Sequence, residues 1–147
     1  MDRGLAVTLT AVVGGCIALQ APINSQLGRA VGTFQAAFVS FTIGTVLLAL
    51  IAALAKGGLG QVTDARHVAW YYLTGGLLGA AYVTTVLVTV RTLGAGGVTA
   101  ATIAGQLTMA VVVDQLGILG VAKHPITALR VLGVALLAAG TFLIVRE

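Results

Sequence analysis

Charge is what this sequence most lacks. Only 8% of its 147 residues are Asp, Glu, Lys or Arg, eight of them basic and four acidic. A soluble domain carries about a quarter charged residues to keep its surface wetted, so an ordinary soluble enzyme is excluded. With 59% hydrophobic residues and a mean hydropathy of +1.07, a disordered chain is excluded as well. The calculated pI of 9.9 rests on a surplus of four positive charges. That is too few to build a phosphate-neutralising patch, so no nucleic-acid partner is expected. The single cysteine, Cys16, excludes a disulfide framework and any multi-cysteine metal site. An integral membrane protein remains.

A helix needs about 20 mostly apolar residues to cross the hydrocarbon core. Five stretches qualify, residues 4–23, 33–55, 68–90, 95–121 and 126–145. The links 24–32, 56–67, 91–94 and 122–125 hold the clustered charge, glycine and proline, and the longest, 56–67, reads as a solvated loop. Strands of a membrane barrel alternate apolar and polar residues, whereas residues 46–55 are apolar without a break. The expected fold is therefore all-α, a single domain over 1–147 with five transmembrane helices, each satisfying its own backbone in lipid. The first apolar run is longer than a signal-peptide core and starts from Arg3 alone, so it reads as a retained helix.

Five helices put the termini on opposite sides. Arg3, Lys56, Arg66, Lys123 and Arg130 then fall on the N-terminal side, and Arg29, Arg91 and Arg146 on the other. The Lys/Arg bias that sets orientation is thus 5 against 3. Taken literally it places the N-terminus in the cytoplasm; so small a margin equally suits a chain that inserts both ways. A faint repeat is also present. Gly14-Gly15, Arg29, Gly32 and Gly44 recur in order as Gly75-Gly76, Arg91, Gly94 and Gly105, which would make helices 1–2 and 3–4 two copies of one hairpin, with helix 5 added.

Ionisable groups within a span are costly and call for a role. Asp114 is the sole acid inside one, and Arg130 lies on the next helix at a comparable depth from the same surface. Two readings stand: a salt bridge pinning helices 4 and 5, or a gating or proton-coupling carboxylate. They compete for the same oxygen atoms. At the end of helix 1, Gln20, Pro22, Asn24 and Gln26 interrupt an apolar run, and Gln20 and Asn24 share a helix face. Pro22 is expected to kink the helix and expose a carbonyl. Transporters line midplane sites with such broken helices, while ordinary helix-end polarity is the alternative. Gln106, near the middle of helix 4, and Tyr82, in helix 3, each need a polar partner across an interface or in a wet pocket.

Other features read more plainly. Trp70, Tyr71 and Tyr72 suit an interfacial aromatic belt, and Phe34, Phe38 and Phe41 form a packing stripe. Gly75 with Gly79 and Gly28 with Gly32 permit close helix approach, and helix 5 is thin enough for a subunit contact. His67 and His124 in loops make a poor metal site. No catalytic constellation, cofactor motif or metal-ligand spacing is found, so no enzyme is expected.

The segment from Gln20 through Pro22, Asn24, Gln26 and Gly28, the pair Gly75-Gly76, and Gly105-Gln106-Leu107 followed by Asp114-Gln115-Leu116-Gly117 resemble a bacterial family of small inner-membrane proteins. That family belongs to the drug/metabolite transporter superfamily and was long regarded as of unknown function. The likeness extends from helix 1 to Gly133. Larger members of the superfamily look like two five-helix halves in inverted orientation. The resemblance thus implies a bacterial inner-membrane chain that is one half of an inverted-repeat ten-helix transporter. It would work as an antiparallel homodimer, or with an oppositely oriented paralogue. The implied activity is transport or export of a small molecule by alternating access. Gln20, Asn24, Tyr82 and Gln106 are the expected substrate-binding residues, with Asp114 and Arg130 gating or paired. No span carries a central acid, which argues against a simple proton/cation exchanger. A non-transporting membrane scaffold or partner subunit is the second reading. A channel is third, for want of a filter motif or charged ring.

Overall fold

Asp2 opens the first helix. Its carboxylate accepts from the backbone N–H groups of Gly4 at 3.1 Å and Leu5 at 3.4 Å, satisfying donors that a helix start leaves free. A computed structural model gives the arrangement that follows and describes residues 2–55 and 58–146. Its α-helices are α1 (Arg3–Val31), α2 (Thr33–Leu54), α3 (Gly75–Leu116) and α4 (Ala128–Arg146), with 3-10 helices at Gly58–His67 and Trp70–Thr74. Among the described residues there is no strand. Four helical stretches among the described residues are long and apolar enough to cross a membrane: Arg3–Val31, Thr33–Leu54, Trp70–Leu116 and Ala128–Arg146. Lys56, counted above in the charge tally, lies outside the described residues.

The boundaries differ from those expected in three places. First, α1 does not stop near residue 23 but continues through Pro22 to Val31. Its polar end had the look of a link. Ala21, Asn24, Ser25 and Gly28 are in fact its buried residues, spaced so that they share one face. Small and polar side chains here form the packed seam. Second, the 42 residues of α3 would span about 63 Å if straight, twice the hydrocarbon thickness. Gly94, with φ 67° and ψ 172°, interrupts it, so the third and fourth expected spans appear as one element with a break. Regular α-helix begins only at Gly75, after a 3-10 turn in which the Thr74 hydroxyl donates to the Tyr71 carbonyl at 2.7 Å. Third, α3 ends at Leu116, because Gly117 enters the left-handed region at φ 62°. The next helix waits for Thr127, whose hydroxyl accepts from the Arg130 N–H at 3.3 Å as a helix cap.

The chain forms two compact units, Met1–Arg91 and Thr92–Glu147. In the first, α1 and α2 reverse about Gly32, at φ 98° and ψ 151°. The adjoining part of α3 packs on them. The ring of Phe41 lies 3.5 Å from where a Cβ on Gly79 would stand, and Leu87 and Ala36 close on Gly28 at 3.6 and 3.7 Å by the same measure. The core is small: Ala36, Ala37, Val83 and Leu87, with Leu27 and Tyr82 against it. Gly75 has open space beside it, so only Gly79 of that pair makes a close approach. Phe34 and Phe38 point outward, 74% and 72% exposed, which corrects the packing stripe to Phe41 alone; the other two suit a lipid-facing surface.

In the second unit, residues 95–116 and α4 run antiparallel. The Thr141 hydroxyl donates to the Ala100 carbonyl at 3.1 Å. Val145 lies 3.5 Å from where a Cβ on Gly97 would stand.

Candidate functional site

The hairpin about Gly32 decides which polar groups meet. Asn24 and Ser40 lie eight residues to either side of it, hence at matching heights on α1 and α2. The Ser40 hydroxyl donates to Asn24 Oδ1 at 2.6 Å, and Asn24 is buried at 7% exposure. A buried carboxamide in an apolar bundle needs such a partner.

Beside this pair is a cleft of about 220 Å³ within the first unit. Gln20 lines it from α1, and Val83 from α3. Ser40, Phe41, Gly44, Thr45 and Leu48 line it from α2. Gln20 and Gly44 are each twelve residues from Gly32, and Val83 is eleven before Gly94. At 1.5 Å per residue these are about 16–18 Å along their helices, the half-depth of a bilayer core. Gly44 has no neighbouring atom within 4 Å of a Cβ position, so its lack of a side chain leaves room in the cleft. None of the lining side chains is ionisable.

Of the residues singled out by sequence, Gln20 lines the cleft and Asn24 stands behind it through Ser40. Tyr82 is half-buried and packs against the Ala36–Leu87 core rather than lining the cleft. Gln106 belongs to the second unit and is exposed there. Ser40, Phe41 and Thr45 are cleft residues that sequence reasoning missed. The signal that would have found Ser40 was its mirror relation to Asn24 across Gly32.

The second unit holds the ion pair. Arg130 Nη1 donates to Asp114 Oδ2 at 3.0 Å, with side chains 35% and 29% exposed. The turn beneath it is tied down by backbone as well. The His124 N–H donates to the Asp114 carbonyl at 2.8 Å, and the Ile126 N–H to Gln115 Oε1 at 2.7 Å. Leu119, at φ 59°, is the one non-glycine residue with positive φ among the described residues, so this turn carries some backbone strain. The α3–α4 connection is therefore clasped from both ends.

The family profile described as "Putative inner membrane exporter, YdcZ" matches residues 5–143. The chain belongs to this family. The resemblance found in its motifs is thereby borne out, and the four apolar helices able to span a membrane accord with it. No curated protein and no solved structure matches the chain.

Proposed function

We propose that this exporter-family chain moves a small molecule across the inner membrane by alternating access, as one five-span half of an antiparallel dimer. The observation that carries the reading is the uncharged, mainly apolar cleft with three polar side chains, Gln20, Ser40 and Thr45, at mid-height of three apolar helices. Carriers bind near the midplane, where either face can be opened in turn.

The five-span count is supported by α3, which is twice the length of one crossing and broken at Gly94. Gly94 shares its unusual backbone with Gly32, where α1 turns back into α2. The dimer is supported by the small Lys/Arg margin of 5 against 3 and by α4, where Gly133 and Gly140 have no neighbour within 4 Å of a Cβ position. Gln20, with Asn24 behind it through Ser40, serves the substrate cleft. Tyr82 and Gln106, which do not line that cleft, are proposed to act elsewhere in transport, and Asp114 with Arg130 holds or gates the turn between the last two spans.

Orientation is the first test. C-terminal fusions to a reporter active only in the cytoplasm, and to one active only outside, should both give activity in comparable amounts. Activity from one alone removes the self-paired antiparallel dimer and leaves either an oppositely oriented paralogue as partner or a parallel assembly. Gln106→Ala should then cut transport with little loss of dimer.

A further inference from the structure

The cleft in the first unit has a hydrogen-bonding polarity of its own. A serine hydroxyl offers one donor and two acceptor lone pairs. Ser40 spends its hydrogen on Asn24 Oδ1, so toward the cleft it presents only lone pairs. Gln20 and Thr45, in the same lining, each offer both a donor and an acceptor. Phe41, Leu48 and Val83 supply apolar walls. No lining side chain can neutralise an ion, and an unpaired charge at this depth is costly. At about 220 Å³ the cleft is smaller than the roughly 300–1,000 Å³ typical of drug-sized ligands.

Taken together, these features lead us to infer that the cleft binds a small uncharged solute with an apolar body and an N–H or O–H group, which donates to Ser40 while Gln20 and Thr45 complete its polar contacts. Asn24 is a positioning residue: by taking the Ser40 hydrogen it makes the site select donors. The inference rests on the transport reading only for its purpose, since binding is measured separately from movement.

Four probes of nearly one shape test it: benzamide, acetophenone (which lacks the N–H), benzamidinium (a cation) and benzoate (an anion). Binding to the purified full chain in lipid nanodiscs would be measured by equilibrium dialysis and by thermal unfolding, with empty nanodiscs as control. Benzamide should bind and raise the unfolding midpoint. Acetophenone should bind about three- to tenfold more weakly for the missing hydrogen bond, and the two ions about tenfold or more weakly. Gln20→Leu, at an exposed position where folding is not at stake, should weaken benzamide. Asn24→Leu frees the Ser40 hydrogen and should narrow the preference for benzamide over acetophenone, a selectivity change that loss of packing alone does not produce. Tightest binding by benzamidinium or benzoate, equal binding of all four, or binding of none overturns the inference. Flux in proteoliposomes separates the two readings. Benzamide bound but not moved refutes transport and leaves the site standing, whereas movement of benzamidinium alone refutes the site and leaves transport standing.

Discussion

The backbone of Gly94 makes the sharpest prediction about the fold. Its φ of 67° with ψ of 172° falls in a region populated almost only by glycine, where a side chain costs on the order of 1–3 kcal/mol. Gly32 sits in the same region at φ 98° and ψ 151°, but there a Cβ would also meet the Gln35 carboxamide. At Gly94 no atom lies within 4 Å of the Cβ position, so Gly94→Ala isolates the backbone cost. The matched control is Gly14→Ala, inside α1 and equally free of neighbours; there alanine should gain up to about 1 kcal/mol in helix propensity. Equilibrium unfolding by sodium dodecyl sulfate in mixed micelles, followed by circular dichroism, would measure both. Gly94→Ala should fall about 1–3 kcal/mol below the parent chain, with Gly14→Ala at or above it. If Gly94→Ala is as stable as Gly14→Ala, α3 passes Gly94 as regular helix and the break is wrong.

Further perturbations follow from named contacts. Removing one partner of a fully buried ion pair costs about 3–5 kcal/mol, and of an exposed one about 0–1 kcal/mol. The Asp114–Arg130 pair, about a third exposed, should show a coupling of about 1–2 kcal/mol in a double-mutant cycle with Asp114→Asn and Arg130→Gln; zero coupling would remove its pinning role. Gln115→Leu deletes the bond from Ile126, about 1 kcal/mol, and should speed tryptic cleavage at Lys123 roughly fivefold if that bond holds the turn. At Gly28 a Cβ would stand 3.1 Å from the flexible end of Arg91 and 3.6 Å from Leu87. Gly28→Ala should therefore be tolerated in the same unfolding assay, while Gly28→Leu should lose about 1–3 kcal/mol through overpacking.

The sequence reveals this fold unevenly, for physical reasons. Apolar runs such as 33–54 announce themselves because lipid leaves them no alternative to helix. The end of α1 misleads because Asn24, Ser25 and Gln26 have the composition of a link, yet Asn24 and Ser25 are buried on the packed face of α1. Composition reports polarity and not which neighbour satisfies it. Asp114 and Arg130 were legible as a possible pair because a short turn joins their helices. Ser40 and Thr45 were not, since a hydroxyl in an apolar helix commonly bonds its own backbone. Thr42 does so, donating to the Phe38 carbonyl at 2.8 Å, whereas Ser40 reaches across to α1. Two hydroxyls two residues apart thus do different things, and only the position of the neighbouring helix separates them.

Gln20 lies twelve residues before Gly32, Tyr82 twelve before Gly94 and Gln106 twelve after it. Each polar residue is therefore about 18 Å along its helix from a glycine of the same unusual backbone. The fourth position of the set, twelve residues after Gly32, is Gly44, which lines the cleft. One arm of the first hairpin thus supplies a carboxamide and the other supplies space. Gln106 holds a polar group at the same distance from Gly94, in a helix where such a group must find a partner. Gly44→Gln would place a carboxamide at this position of α2. It should fill the cleft and abolish benzamide binding while leaving the Asn24–Ser40 bond intact, and unchanged binding would show that the room at Gly44 is not what the ligand uses.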